Sequence, residues 1–138
     1  MRTLIEQLSQ RMLLIDESFE IRPAIGKTIS RLNRDTRFSH SKLRYRSSMW
    51  FTFKRISKDW KDAPVYFFEI TPHAYRYGLG YYSASRQTMD LFRRLIDSNR
   101  KRFLKVIKCC KPPFELDGEC YKRPLAKDLP DNIADWYN

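Results

Sequence analysis

Only four glycines, three cysteines and two histidines occur in the 138 residues, and each scarcity closes off a class of function. The glycines supply no G-x-G-x-x-G turn for a dinucleotide and no Walker loop for a triphosphate. No G-x-S-x-G elbow or H-E-x-x-H helix is present either, so the common hydrolase and zinc-protease signatures are missing. Cys109, Cys110 and Cys120 are odd in number and lack paired C-x-x-C spacing, which indicates neither a disulfide framework nor a zinc ribbon. His40 and His73 stand alone, without a second ligand at metal-binding spacing. No apolar run reaches 18 residues, and the first residues lead straight into an amphipathic pattern, so the expectation is a soluble cytoplasmic protein with no membrane partner.

Acid is the scarcest commodity of all between residues 21 and 58. Eleven Lys and Arg side chains lie there against the single carboxylate of Asp35, and this stretch holds ten of the eleven excess positive charges of the whole chain. A solvated surface mixes its signs, whereas a segregated block creates a local field that attracts anions. The partner this predicts is acidic: a small anionic ligand or a nucleic acid.

What remains is ample for a core, with 42% apolar and 14% aromatic residues. Leu4, Ile5, Leu8, Met12 and Ile15 recur at helical spacing behind a Thr3/Glu6 capping box, predicting a helix over residues 3–16. Alternation then takes over in Phe19, Ile21, Ile25 and Ile29, interrupted by Pro23 and Gly26, as short edge strands would be. Residues 33–48 read as a long ordered loop. Residues 49–56, 64–71 and 74–82 are aromatic, β-prone runs separated by polar turns. Ser83 or Ser85 can cap a helix bearing Met89, Phe92, Leu95 and Ile96, and Ser98-Asn99 separates it from a second carrying Phe103, Leu104 and Ile107. Residues 114–121 suggest a hairpin on Asp117-Gly118, and residues 129–136 a terminal helix. The fold class is therefore α+β: an antiparallel sheet of about four to six strands, with helices at the N-terminal end and in the C-terminal half, in a single domain over residues 1–138.

The run Ser30-Arg31-Leu32-Asn33-Arg34-Asp35-Thr36-Arg37-Phe38-Ser39-His40-Ser41-Lys42, followed by Tyr45, resembles the signature R-x-x-R-D-x-R-F-S-x-D-K-x-P-Y of the family catalogued as domain of unknown function 2461. Phe68-Glu69-Ile70, the Gly78-x-Gly80 strand, the helix from Arg86 and Tyr121-Lys122-Arg123-Pro124 resemble it too. Ser41 and Arg44 depart from the Asp and Pro of that signature. The resemblance implies a mixed α/β fold and a shortened member or fragment of a longer family domain; it implies no activity, cofactor or reaction.

Two constellations are candidates for binding. Arg34, Arg37 and Lys42, with Asp35 between them and Tyr45 beyond, offer donors for an anion; equally, Asp35 can pair with Arg37 or Arg31 and simply fix the loop. As a general base Asp35 is poorly suited, because neighbouring guanidiniums lower a carboxyl pKa. On the strand 74–82, Arg76, Gly78, Gly80 and Tyr82 share one face, a possible pocket floor unless Glu69 pairs with Arg76 or a side chain covers the glycines. Of the aromatics, Met49, Phe51 and Phe53 belong to a core face, leaving Trp50, Thr52 and Lys54 for a binding surface. The preferred expectation is a basic pocket for a small phosphorylated or carboxylated anion, drawing on Arg34, Asp35, Arg37, Lys42, Tyr45 and Arg76. The alternative is a nucleic-acid-binding module built on the basic-aromatic residues 21–58.

Overall fold

The computed structural model describes residues 1–38, 40, 42–118, 122–126 and 128–137. They form two compact units, Met1–Ala84 and Ser85–Asn138. The first contains helix α1 (Arg2–Leu13), strands β1 (Met49–Phe53), β2 (Pro64–Ile70) and β3 (Tyr75–Tyr81), and a 3₁₀ turn at Trp60–Asp62. The second contains α2 (Arg86–Ser98), α3 (Arg100–Val106) and α4 (Asp131–Tyr137).

The α+β class holds, but the sheet has three strands, in the order β1-β2-β3 and antiparallel throughout, rather than four to six. The shortfall comes from residues 19–33. They follow the outer side of β1, where Ser30 N–H donates to Trp50 O at 2.8 Å and Thr52 N–H to Thr28 O at 2.9 Å. Pro23 has no N–H to give, and Gly26, at φ +79°, reverses the chain into a turn closed by Gly26 N–H to Ile29 O. Only isolated bridges survive among the described residues, Phe19 with Arg55, Ile25 with Ile29, Ile29 with Phe51 and Asn33 with Tyr45.

Alternation sorts each strand into two faces. Phe51 and Phe53 of β1 are 2% exposed and meet Ile5 of α1, Phe19 and Ile29 in the core, with Met49, Tyr66 and Phe68 around them. Phe51 stacks on Phe68 at 5.3 Å between ring centroids and meets Phe53 edge to face at 5.7 Å. The other face of the sheet presents Trp50, Thr52, Val65, Phe67 and Glu69.

α1 starts one residue earlier than expected, with Met1 rather than Thr3 at its N-cap and no capping side chain, and it ends at Leu13. Ile15 is consequently exposed instead of joining the buried stripe, as is Leu14 beside it. In the second unit Ser85 caps α2 by accepting the Thr88 N–H at 3.2 Å, and Asn99 does the same for α3 through Arg102 N–H at 3.0 Å. Ile96 and Ile133 are buried, and Phe103 meets Phe92 and Trp136 edge to face. Leu95 turns outward; the buried position beside Ile96 goes to Arg93, whose Nε donates to Tyr137 O at 2.8 Å and Nη1 to Asp90 at 3.0 Å. Phe114 to Gly118 form no strand, and the rest of the hairpin expected there lies outside the described residues.

Candidate functional site

The loop that carries the sequence signature closes on itself. Arg34 N–H donates to Arg44 O at 2.9 Å and Arg46 N–H to Leu32 O at 3.0 Å, so residues 32–34 and 44–46 form a short ribbon. At its tip, Asp35 accepts three hydrogen bonds from one residue: the backbone N–H of Arg37 at 3.2 Å, Nε at 2.9 Å and Nη2 at 2.6 Å. That fork lowers the Asp35 carboxyl pKa, chiefly through the guanidinium and then through the backbone N–H, which leaves Asp35 a weak base at neutral pH. Lys42 Nζ donates to the Thr36 carbonyl at 3.0 Å, tying the far side of the tip. Tyr45 is exposed, and Arg34 is half-buried in the ribbon. Ser39 and Ser41, the hydroxyl-bearing residues of the same loop, lie outside the described residues.

Arg76 is elsewhere. It faces Glu69 across the β2–β3 ladder, with Nε 2.6 Å from Oε2, and β1 and β2 separate it from residue 30 by three strand spacings, roughly 14 Å. The glycines beside it differ from one another: a Cβ on Gly78 would come within 3.0 Å of the Phe67 ring, whereas nothing lies within 4 Å of one on Gly80. Phe67 therefore covers half of the bare strip. The six residues picked from the sequence thus fall into two places, the ribbon tip and the β2–β3 ladder.

A different set converges. On the sheet face opposite the core, a groove of about 200 Å³ is lined by Lys27, Arg31, Trp50, Lys54, Trp60, Lys61 and Tyr82, with Thr28, Ser30, Thr52 and Val65 among the floor residues. The Gly26 turn places Lys27 at one rim, and Ser30, whose Oγ accepts the Trp50 N–H at 3.1 Å, fixes the wall beside Arg31. The 3₁₀ turn presents Trp60 and Lys61 at the other rim, anchored where Ser83 N–H donates to Lys61 O at 3.2 Å. Lys54 Nζ sits 3.7 Å from the centre of the Trp60 ring, and that ring lies 5.3 Å from Tyr82; Arg46 covers Trp50 at 4.8 Å.

The electrostatics of the groove are one-sided. Its lining holds four cationic side chains and no carboxylate, and no ion pair joins any of the four to an acid among the described residues. The acid that acts on Lys54, Glu20, is buried and engaged by Arg22, which donates from its backbone N–H at 3.1 Å, Nε at 2.8 Å and Nη2 at 2.6 Å and holds the carboxyl down at about 2. Lys54 has its ammonium pKa lowered, first by partial burial; Glu20 pulls it up and Lys27 pushes it down. Among the described residues no cluster of His, Cys, Asp and Glu is arranged to hold a metal ion, and no helix is long and apolar enough to cross a membrane.

The strand pattern had already separated Trp50, Thr52 and Lys54 from the core side, so part of this groove was readable. Lys27, Arg31, Trp60, Lys61 and Tyr82 were not assembled with them, because only the Gly26 turn and the β1–β2 connection bring them there. The local spacing carries no sign of either arrangement.

No curated protein and no solved structure matches the chain. The model of one family does, along residues 1–138, and that family is described as conserved hypothetical protein (DUF2461). The chain, with the ribbon that carries Arg34-Asp35-Thr36-Arg37 at its tip, thus belongs to DUF2461.

Proposed function

We propose that the protein binds a small phosphorylated anion in the groove bounded by Lys27, Arg31, Lys54 and Lys61. The observation that carries this reading is the groove lining itself: four cations, two indoles and a phenol converge on about 200 Å³ with no carboxylate among them. Charge-assisted hydrogen bonds from Arg and Lys to phosphate oxygens are the strong ones, and the recess lets several act on one group. A carboxylate is the weaker fit, since it presents fewer oxygens to donors on opposite rims. Arg34, Arg37, Lys42, Tyr45 and Arg76 enter as a surrounding positive field, with Arg37 and Arg76 held by Asp35 and Glu69. The exposed free thiols of Cys109 and Cys110 agree with a reducing, cytoplasmic setting for such a ligand.

Calorimetric titration with inorganic pyrophosphate, a sugar phosphate and a mononucleotide tests the reading. Arg31→Ala is expected to weaken the best of them about tenfold, the equivalent of one charge-assisted hydrogen bond. Failure of all three to bind would defeat it.

The alternation of Trp50, Trp60 and Tyr82 with cations supports a second reading, a single-stranded nucleic acid tracking the same groove. Its mark is steep salt dependence, with log affinity falling by roughly 0.7 per log unit of salt for each phosphate contacted. A short oligonucleotide that binds no tighter than the mononucleotide favours the small ligand.

A further inference from the structure

The bare strip on β3 continues the groove. Val65, on the groove floor, pairs with Gly80 across the β2–β3 ladder, so the two positions share a face of the sheet. Tyr82, two residues beyond Gly80, lies on that face too and lines the groove. On the other side of Gly80 the place above Gly78 is taken: the Phe67 ring lies over it, with the Arg76 guanidinium 5.8 Å from the ring centre. Above Gly80, by contrast, nothing stands within 4 Å of where a Cβ would be. Along this face of β3 the order is therefore a guanidinium, a phenyl ring, a gap with a backbone floor, and the phenol of Tyr82, which leans on Trp60 at 5.3 Å.

Such a gap suits a flat ring. Gly78 and Tyr82 are four residues apart, roughly 13 Å along a strand, and a glycine between them lets a ligand come down to the backbone. Both walls are aromatic, and Tyr82 is 65% exposed, which leaves its ring area to be covered by a partner. The cations lie to one side of the gap. One step beyond the Phe53–Tyr66 pair the chain brings Lys54 beside Val65, so Lys54, Val65 and Gly80 form a row across the three strands. Two strand spacings, roughly 10 Å, separate the ends of that row, and Lys27 and Arg31 stand beyond its Lys54 end.

We propose, resting on the phosphate reading of this same groove, that its ligand is a nucleoside monophosphate, with the base over Gly80 between Phe67 and Tyr82 and the phosphate among Lys27, Arg31 and Lys54. The sugar then crosses Val65. Stacking uses the π-face that every base has, so purines and pyrimidines both qualify. A recess of about 200 Å³ is smaller than the roughly 300 Å³ at which pockets for drug-sized molecules begin, which matches one nucleotide rather than a larger cofactor.

Isothermal titration of the full chain with uridine monophosphate, adenosine monophosphate, ribose phosphate and inorganic pyrophosphate tests this. Both mononucleotides are expected to bind at least about tenfold tighter than ribose phosphate, the share contributed by one stacked base. Gly80→Val fills the gap with a side chain that the extended backbone accepts and that meets no neighbour at its Cβ. It should erase the preference for a base and leave pyrophosphate affinity unchanged. Tyr82→Ala removes one wall at an exposed position and should reduce the same preference, a readout that stands even if the Gly80 variant folds poorly. Ribose phosphate binding as tightly as the mononucleotides, or a preference that survives Tyr82→Ala and a folded Gly80→Val, would overturn the proposal, with pyrophosphate binding showing that the phosphate site itself stands. If pyrophosphate and every other phosphate fail to bind the wild-type chain, the proposal and the reading beneath it fall together.

Discussion

The protein contains two carboxylate–arginine forks of the same connectivity, Glu20 with Arg22 and Asp35 with Arg37, and they sit in opposite surroundings. In each, a carboxylate accepts the backbone N–H, Nε and Nη2 of the arginine two residues on, at nearly the same distances. The Glu20 side chain is 8% exposed behind Lys54, whereas Asp35 is 56% exposed at the ribbon tip. Equal geometry therefore brings unequal consequences, because water competes for the second fork and is largely kept from the first. The forks share one effect. They occupy Arg22 and Arg37 with internal acid, and the cations left facing an acid-free recess are Lys27, Arg31, Lys54 and Lys61.

The comparison breaks outright if the forked arginines turn out to be the binding ones. Lys27→Ala combined with Arg31→Ala is expected to reduce pyrophosphate affinity about a hundredfold, two charge-assisted hydrogen bonds lost together, while Arg22→Ala with Arg37→Ala loses less than about threefold. Isothermal titration of the two double variants decides it. Next in size, Glu20→Ala should lower unfolding stability by about 1–3 kcal/mol in a denaturant titration, since a buried site loses its acceptor and the Arg22 donors lose their partner.

The pH dependence sharpens the same contrast. Glu20 titrates near 4.5 unfolded and at about 2 folded, so its contribution is complete above pH 4.5 and disappears as the pH falls towards 2. Glu20→Gln should flatten the acid limb of a thermal-denaturation profile in that window. Asp35, also lowered but exposed, should bend it much less. Smallest of all, Asp35→Ala is expected to cost under about 1 kcal/mol, and that difference should shrink further with added salt.

Much of the architecture could be read in the residues. Parity alone assigned Phe51 and Phe53 to the core and Trp50, Thr52 and Lys54 to the other face, and the Ser85 and Asn99 signals mark the helix starts where the caps occur. The pairings of Asp35 with Arg37 and of Glu69 with Arg76 also follow from strand and turn spacing. The extra strands did not follow, because Pro23 and the left-handed Gly26 convert an alternating segment into isolated bridges. The groove was legible only in part. Lys27 and Lys61 are 34 positions apart in the chain, and what unites them is a turn on one side of the sheet and a 3₁₀ turn on the other. Arg93 shows the limit of periodicity from the other direction: a charged residue fills a buried helix position because Asp90 and the Tyr137 carbonyl meet its guanidinium.

The positions of the indoles give the groove a built-in optical signal. Two of the three tryptophans in the chain, Trp50 and Trp60, line it with a cation resting against each ring, while Trp136 lies in the second unit against Phe103. An ammonium drawn from the Trp60 face towards a phosphate alters the field around that chromophore. Emission colour and quenching would report occupancy without any label, and a Trp136→Phe protein would remove the constant background.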